Sequence, residues 1–188
     1  MKKVLKEILS TSVYLLVVLL ATYLFIQYVA QRTIVKGSSM EPTLVGTDEH
    51  DPDKVGDNLI VDKISYRFRE PERFEIIVFP YQLDTSQLLI KRIIGMPGET
   101  VEIKEDGFIY INGEKLIEGY GKEIIDSAHL GTVEYPIILG ADEYFALGDN
   151  RNNSSDSRFP MVGNVHRDDI VGRAWFRMWP MSKLGTVQ

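Results

Sequence analysis

The sequence predicts a mainly β protein, in which one β-rich domain follows a single N-terminal membrane-spanning helix. Residues 8–30 are apolar and carry no charge. After them, short runs of Val, Ile, Phe and Tyr alternate with Gly, Pro and Asn-Gly, which is typical of strands joined by tight turns. No later stretch shows a convincing amphipathic helical period. We therefore expect a cytoplasmic N-terminus over 1–7, a membrane anchor over 8–30 and one extracytoplasmic β-rich domain over 31–188.

The composition excludes several classes of function. The 188-residue chain has 21 Lys and Arg against 27 Asp and Glu, for a net charge of -6. Its basic residues form no stripe, so no nucleic-acid partner is expected. The chain has no Cys, which excludes disulfides, thiol catalysis and Cys-ligated zinc. No cofactor or metal is expected, and the oligomeric state is left open.

The apolar run is long enough to cross a bilayer. Its 23 residues would extend about 34 Å as a helix, against about 30 Å for a hydrocarbon core. A cleavable export signal is the alternative, but residues 28–30 place the bulky ring of Tyr28 where such signals need a small residue. A retained anchor in contact with membrane lipid is therefore favoured. Basic residues are slightly more frequent before the run than after it, which favours an N-terminus on the inside.

The domain after the anchor is predicted to be an antiparallel meander. Strand-forming residues cluster, in chain order, at 33–35, 59–61, 75–79, 88–94, 108–111, 144–147 and 170–179. Asp106-Gly107 and Asn112-Gly113 flank one of these runs and predict two tight hairpins. Pro71 and Pro80 are expected to end the strands beside them.

The acidic segment 45–57 is predicted to be a solvated loop. Five carboxylates surround His50 there, and Gly46, Pro52 and Gly56 interrupt the segment. Clustered carboxylates suit a cation, but their spacing matches no calcium-loop pattern. We therefore expect no metal at this loop.

A serine soon after the anchor is the first candidate for chemistry. Ser39 lies in the stretch 37–43, where Pro42 restricts the backbone and Gly37 loosens it. A lone serine is a weak nucleophile, and it needs a base, an orienting group and a donor for the oxyanion. The usual base is histidine. The three histidines lie in polar or turn-rich segments and are expected at the surface: His50, His129 and His166.

Lys91 is the alternative base. Strand alternation places it on the same face as Leu89 and Ile93. Burial among aliphatic side chains would lower the pKa of the amine from its ordinary value of about 10.4, so that a neutral amine becomes available as a general base. The other interpretation is a lysine at a strand edge whose amine extends into solvent. The strand by itself favours the second interpretation.

A polar run over 148–158 favours the interpretation of Lys91 as a catalytic base. It packs Asp, Asn, Arg and Ser residues between two strands, more than a connection requires, although a hydrogen-bonded turn also explains the run by itself. Together with Ser39 and Lys91, in this order, it resembles the type I signal peptidases, the Ser/Lys membrane proteases that cut signal peptides from exported proteins. The resemblance includes the anchor and spans nearly the whole chain. The matching stretches are 37–43, 56–57, 91–98 and 148–158.

The resemblance implies an antiparallel, barrel-like catalytic domain of the signal peptidase type. It also implies that Ser39 is the nucleophile and Lys91 the general base. The supporting residues would be Ser154, which hydrogen-bonds the lysine amine, Asp156 and Arg158, which form an ion pair, and Asp149 and Asn150, which hold the loop.

The same resemblance implies an oxyanion site and a substrate groove. Some members carry Ser at the position of Gly37, whereas here the oxyanion would depend on main-chain donors, chiefly the Ser39 N–H. The substrate, a signal-peptide-bearing precursor protein, would add as a β-strand between the segment before Ser39 and the strand before Lys91. Residues expected to line its apolar pockets are Met40, Ile90, Val35 and Leu89.

Some local details stay open. Glu99 replaces a commoner Asp, and residues 73–75 lack a more usual Gly-Asp, so the geometry of these turns is uncertain from the sequence. Residues 119–140 do not reveal whether they shape the groove. Trp175 and Trp179 are as suited to lipid contact as to core packing.

Two other classes of function compete with an anchored serine endopeptidase. A self-cleaving Ser/Lys repressor shares the dyad and the fold, but it has a DNA-binding segment and no anchor. A catalytically silent, membrane-anchored β domain that binds partner proteins is the second alternative. It does not explain why the polar residues around Ser39 and Lys91 are all present.

Overall fold

A long N-terminal helix precedes the β strands in the computed structural model, which describes residues 2–187. Met1 and Gln188, the outermost residues of the predicted ranges 1–7 and 31–188, lie outside the described residues. Helix α1 spans Lys2–Tyr28. Within the described part of the chain, Lys3–Tyr28 is the one helical stretch long and apolar enough to cross a membrane, and none of it is buried.

The helix ends before the predicted limit of residue 30. Ala30 is already the first residue of a strand and pairs with Asp62. The main-chain N–H of Lys63 also donates to the carbonyl of Val29 over 2.9 Å. These hydrogen bonds from a sequence-distant strand replace the next helical turn, so the predicted helix end at Ala30 is wrong.

The rest of the described chain consists mainly of short strands and single-turn 3₁₀ helices. The strands are β1 Ala30–Ile34, β2 Asn58–Asp62, β3 Ile76–Tyr81, β4 Asp84–Gly95, β5 Thr100–Ile103, β6 Ile109–Ile111, β7 Glu114–Lys115, β8 Ile137–Ile138, β9 Glu143–Leu147, β10 Val165–His166, β11 Gly172–Trp179 and β12 Gly185–Thr186. The 3₁₀ helices are Ser65–Arg67, Ser127–His129, Arg151–Asn153, Arg167–Asp169 and Met181–Lys183.

The strands form two antiparallel sheets, which confirms the mainly β class. The larger sheet has the order β1-β2-β11-β3-β4-β9-β10, with β12 paired to β11. The smaller sheet has the order β7-β6-β5-β8. The outer strands of the larger sheet, β1 and β10, do not pair with each other in the described chain, so hydrogen bonds do not join the two ends of this sheet.

The β3–β4 hairpin is longer than predicted. Pro80 lies inside β3 and pairs with Leu88, and the register shifts between Pro80 and Tyr81. A proline is tolerated at such an irregular strand end, where its missing N–H interrupts no regular ladder. The prediction that Pro80 ends the strand is therefore wrong. By contrast, Asn112 and Gly113 have φ angles of 52° and 83° between β6 and β7, which confirms a tight hairpin at this position.

The core consists of three apolar clusters that fix the strand carrying Lys91. Ile93 packs into one cluster with residues of β3 and β9, and its neighbour Ile94 packs into another with the smaller sheet. The third cluster contains Met40 and Leu44 under the turn that bears Ser39. Because β4 contributes to opposite sides of the core, its side chains at the site have little freedom to move.

Candidate active site

Ser39 lies on a tight turn that a buried cluster anchors. Met40 and Leu44 are 1% and 0% exposed, and the N–H of Leu44 donates to the carbonyl of Met40 over 2.9 Å. Ser39 itself is half-buried and lines an open groove. The apolar residues that follow Ser39 thus fix the turn and leave the hydroxyl accessible.

Lys91 reaches this hydroxyl from β4. Its Nζ lies 2.7 Å from Ser39 Oγ, and the lysine is only 3% exposed. Burial lowers the pKa of the Lys91 amine from 10.5 to about 8, while the charge of Asp156 opposes this change and that of Arg158 supports it. The interpretation of Lys91 as a solvent-extended lysine at a strand edge is therefore wrong.

Two buried ion pairs balance the carboxylates near this amine. Asp156 accepts from Nε and Nη2 of Arg158, each over 2.8 Å, which confirms the predicted pair. Asp149 accepts from Nε and Nη2 of Arg92 over 2.8 and 2.7 Å, with both side chains fully buried. Since each aspartate has its own guanidinium, neither strongly favours the protonated form of the lysine.

The pair between Arg92 and Asp149 was not predicted. Sequence reasoning placed Asp149 in a loop-holding role and gave Arg92 no role. A signal was available, because Arg92 follows Lys91 in an apolar strand, and a cation buried there requires a counter-charge. Tyr120 supports the pair as well, with its ring centroid 3.8 Å from Cζ of Arg92.

The loop 148–158 is hydrogen-bonded to the turn that carries Ser39. The N–H of Asn150 donates to the carbonyl of Ser39 over 3.0 Å, and its Nδ2 donates to the carbonyl of Ser38 over 3.1 Å. Asn153 Nδ2 donates to Ser38 Oγ over 2.9 Å. Asn150 therefore does more than hold its own loop, because it connects that loop to the turn of Ser39.

Ser154 does not make the predicted hydrogen bond to Lys91. Its Oγ is a buried atom with no hydrogen-bond partner among the described residues. It lies against Gly148, where a Cβ would come within 2.2 Å of Ser154 Oγ and 2.4 Å of the Ser39 carbonyl oxygen. Ser154 is thus close to the turn of Ser39, but in this structure it does not orient the amine.

Gly37 offers no free donor for an oxyanion. It has a φ of 70°, and its N–H donates to the carbonyl of Thr47 over 2.9 Å. The N–H of Ser39 has no partner among residues 2–187. Of the two predicted oxyanion positions, only Ser39 presents an available main-chain N–H.

A groove of about 650 Å³ runs along the two segments that lead to Ser39 and Lys91. Its walls are residues 33–37 and 86–91, together with Met40 and Glu49. The four predicted pocket residues all line it: Met40, Ile90, Val35 and Leu89. Val35 and Met40 are nearly fully buried, so they form its floor, whereas Ile90 and Leu89 remain half-buried.

Residues 119–140, the three histidines and the two tryptophans all lie outside this groove or make no contact with Ser39 there. Residues 119–140 do not line it; instead Tyr120 covers Arg92, and the carbonyl of His129 accepts from Arg158. The three histidines make no hydrogen bond to Ser39 in the described chain. Trp175 and Trp179 are 42% and 48% exposed, which excludes full burial in the core.

The two unusual turn positions contact each other. Arg73 Nη2 donates to Glu99 Oε1 over 2.5 Å, and Glu99 Oε2 accepts from the N–H of Met96 over 2.8 Å. Met96 belongs to the turn that follows β4. Arg73 and Glu99 therefore stabilise this turn jointly, at the end of the strand that carries Lys91.

Comparison with known proteins places the site in a family. The chain matches the model of "Signal peptidase, peptidase S26" over residues 6–179. It is 42% identical over 164 residues to "Probable signal peptidase I-2" of Synechocystis sp., covering 84% of this chain and 67% of that protein. It is also 42% identical over 165 residues to signal peptidase I of Leptolyngbya laminosa, covering 84% of this chain and 73% of that protein.

A solved structure was also compared with the chain. The crystal structure of a signal peptidase I from Enterococcus faecalis superimposes with a TM-score of 0.45 and 34% identity, covering 56% of this chain and 97% of that one. The family model matches most of the sequence, and the two relatives are similar over more than four-fifths of it. This chain belongs to the signal peptidase, peptidase S26, family.

Proposed function

We propose that this protein is a membrane-anchored serine endopeptidase that removes signal peptides from precursor proteins, with Ser39 as nucleophile and Lys91 as general base. The observation that carries the proposal is the 2.7 Å distance between Lys91 Nζ and Ser39 Oγ. A buried amine at hydrogen-bond distance from a hydroxyl is the geometry that general-base activation requires. The self-cleaving repressor and the silent β domain have no observation in their favour.

The reaction follows from the atoms around Ser39. The neutral amine of Lys91 takes the hydroxyl proton while Ser39 Oγ attacks the scissile carbonyl carbon. The free N–H of Ser39 donates to the oxyanion that forms. The tetrahedral intermediate then expels the leaving amine, which receives its proton from Lys91. Water, deprotonated by Lys91, finally hydrolyses the acyl-enzyme and restores the Ser39 hydroxyl.

The substrate is proposed to add as a strand within the groove. The carbonyl of Val35 accepts from the N–H of Thr47, and the N–H of Gly37 donates to the carbonyl of Thr47. The N–H and carbonyl of Lys36 therefore point to the other edge and have no partner in the described chain. An extended peptide between this edge and β4 satisfies those groups. Ile90 and Leu89, above the floor of Met40 and Val35, give it small apolar pockets.

For the membrane arrangement, we propose a cytoplasmic segment 1–7, an anchor from residue 8 and an extracytoplasmic domain up to residue 188. Support comes from the exposed apolar helix and from the lysines that precede its uncharged part. Strand β1 starts two residues after α1. The groove, which includes residues 33–37, therefore begins only a few residues from the proposed membrane surface.

Cleavage of a signal-peptide-bearing precursor by the full chain in lipid vesicles tests the function. We expect activity in the wild type and loss to background in Ser39→Ala and in Lys91→Arg, because an arginine stays protonated and does not act as a base. Lys104→Arg, at a half-exposed surface position, is the matched control and should retain full activity. Full activity in Lys91→Arg would refute the dyad, and an inactive wild type would refute the function.

A further inference from the structure

We propose that Asn150 is a positioning residue that orients the main-chain N–H of Ser39, the donor to the oxyanion. This inference rests on the proposed function. It gives Asn150 a role in catalysis beyond holding the loop 148–158. The role follows from two hydrogen bonds, one from its side chain and one from its main chain, to the two carbonyls that flank the Cα of Ser39.

The first bond fixes the peptide unit that contains the donor. The carbonyl of Ser38 and the N–H of Ser39 belong to one planar peptide, which is trans, so the two groups point in opposite directions. Asn150 Nδ2 donates to this carbonyl over 3.1 Å. Holding the carbonyl on the side of Asn150 therefore directs the N–H of Ser39 to the opposite side, where no protein group accepts it.

The second bond fixes the next peptide unit. The main-chain N–H of Asn150 donates to the carbonyl of Ser39 over 3.0 Å. With both flanking peptide planes held, the Cα of Ser39 has no freedom left to rotate its N–H. A donor on the Ser38 carbonyl also polarises the shared peptide, which strengthens the N–H of Ser39 as a donor.

Asn150 is itself rigid. It is only 4% exposed, and its neighbour Asp149 makes the two-point pair with Arg92 and accepts from Thr43 Oγ1 over 2.5 Å. On the other side, Arg151 is buried and pairs with Glu118. Such a fixed support matters, because an oxyanion site works by preorganised donors that need no rearrangement during the reaction.

Asn152 offers a matched control in the same loop. Its side chain accepts from the N–H of Asp126 over 2.9 Å and donates to the carbonyl of Ile124 over 3.0 Å, which is one bond more than the side chain of Asn150 makes. Neither bond touches the turn of Ser39. Asn152→Ala therefore removes at least as many side-chain hydrogen bonds as Asn150→Ala, but only Asn150→Ala releases the peptide that carries the Ser39 N–H.

The experiment compares three kinetic quantities in full-length protein reconstituted in vesicles. They are kcat, KM and the inhibition constant of a peptide aldehyde, which forms a tetrahedral adduct with the nucleophile. For Asn150→Ala we expect a fall in kcat of about 10- to 100-fold, below the 10²–10³-fold lost with a whole oxyanion donor. KM should change less than about twofold, and the inhibition constant should rise in parallel with the loss in kcat.

Asn152→Ala should keep all three quantities at wild-type values. Asn150→Leu, which keeps the branching of the side chain and lacks the donor, repeats the test if the alanine variant does not fold. The inference is overturned if the Asn150 variants keep wild-type kcat, or if kcat falls while aldehyde inhibition is unchanged. An inactive wild type would instead refute the proposed function, so the two failures are distinguishable.

Discussion

Arg92 and Asp149 form a two-point ion pair, 2.8 and 2.7 Å long, from which solvent is fully excluded. Arg92 follows Lys91 on β4, and Asp149 belongs to the loop 148–158. The pair therefore joins β4 to the loop that is hydrogen-bonded to the turn of Ser39. Taking two charges out of water is costly, and their mutual contact, together with the hydrogen bonds around it, offsets that cost. Removing either charge of this pair should therefore lower the stability of the whole domain.

Asp149→Asn should lower the free energy of unfolding by about 3–5 kcal/mol, because it removes the counter-charge of a buried guanidinium. Urea unfolding at neutral pH measures this. Glu102→Gln, which removes the carboxylate 3.6 Å from the half-exposed Lys104, is the control and should cost less than about 1 kcal/mol. Equal losses in the two variants would contradict a special role for the buried pair.

The rate of precursor cleavage should depend on the protonation of Lys91. Its amine is a base only when neutral, and burial lowers its pKa to about 8. Thus kcat/KM should rise about tenfold per pH unit below pH 8 and level off above it. A pH series in constant ionic strength checks this, and a rate that stays flat from neutral to alkaline pH would exclude a titrating amine.

Lys91→Met should stabilise the protein at neutral pH while it abolishes activity. In the unfolded chain the amine titrates near 10.5, and in the folded protein near 8. Between these values the unfolded chain binds the additional proton, so wild-type stability falls as pH drops from 10.5 to 8. The variant should gain about 3 kcal/mol in free energy of unfolding at pH 7.

This gain should vanish above pH 10.5, where both states of the wild type are neutral at Lys91. Urea unfolding of both proteins at several pH values gives the difference directly. Lys104→Met, at a half-exposed position, should show no such pH-dependent gain. A gain for Lys91→Met that does not change with pH would mean that packing, rather than desolvation of the amine, causes it.

Gly148→Ala should reduce activity by more than about 100-fold. The new Cβ would lie 2.4 Å from the Ser39 carbonyl oxygen and 2.2 Å from Ser154 Oγ, so the backbone of the nucleophile turn must shift. A displacement of about 1 Å at a catalytic group has an effect of this size. Gly119→Ala, whose Cβ meets no atom within 4 Å, is the control and should stay active in the same cleavage assay. Comparable activity in both variants would contradict the close approach.

Gly37→Ser should be more active than Gly37→Ala. Both substitutions place a Cβ at a φ of 70°, where no atom lies within 4 Å, so both should lose about 1–2 kcal/mol of stability from backbone strain. Only serine adds a hydroxyl two residues before the nucleophile, as a second oxyanion donor. We expect kcat/KM to differ by at least about tenfold in favour of serine. Equal values would show that this hydroxyl does not reach the oxyanion.

Local sequence was enough to predict most of the strands. The apolar runs around Leu59, Ile77 and Phe145 each became a buried strand, and Asn112-Gly113 became the expected hairpin. These features depend on period-two patterns and on turn residues, which neighbouring positions encode. The pairing of Ser39 with Lys91 was predicted too, but from motif resemblance, since no local pattern connects residues so far apart.

Only the tertiary structure revealed four further features. They are the end of the helix, the length of β4, the free Ser154 hydroxyl and the bonded N–H of Gly37. Each depends on how separate segments pack together, as when Asp62 pairs with Ala30 or when the carbonyl of Thr47 accepts from the N–H of Gly37. The ion pair of Arg92 with Asp149 and the hydrogen bonds of Asn150 to the turn of Ser39 also join segments that are distant in sequence.

The sequence by itself determined the apolar helix and the antiparallel β class, and it singled out Ser39 and Lys91 as candidates for the reactive groups. Only the tertiary structure decided that the amine of Lys91 is buried at 2.7 Å from Ser39 and that, of the two predicted oxyanion positions, Ser39 and not Gly37 presents an unbonded N–H among the described residues. The physical reason is that side-chain periodicity and turn chemistry act between neighbours. Desolvation of an amine and the direction of a peptide plane depend on every segment that packs around them.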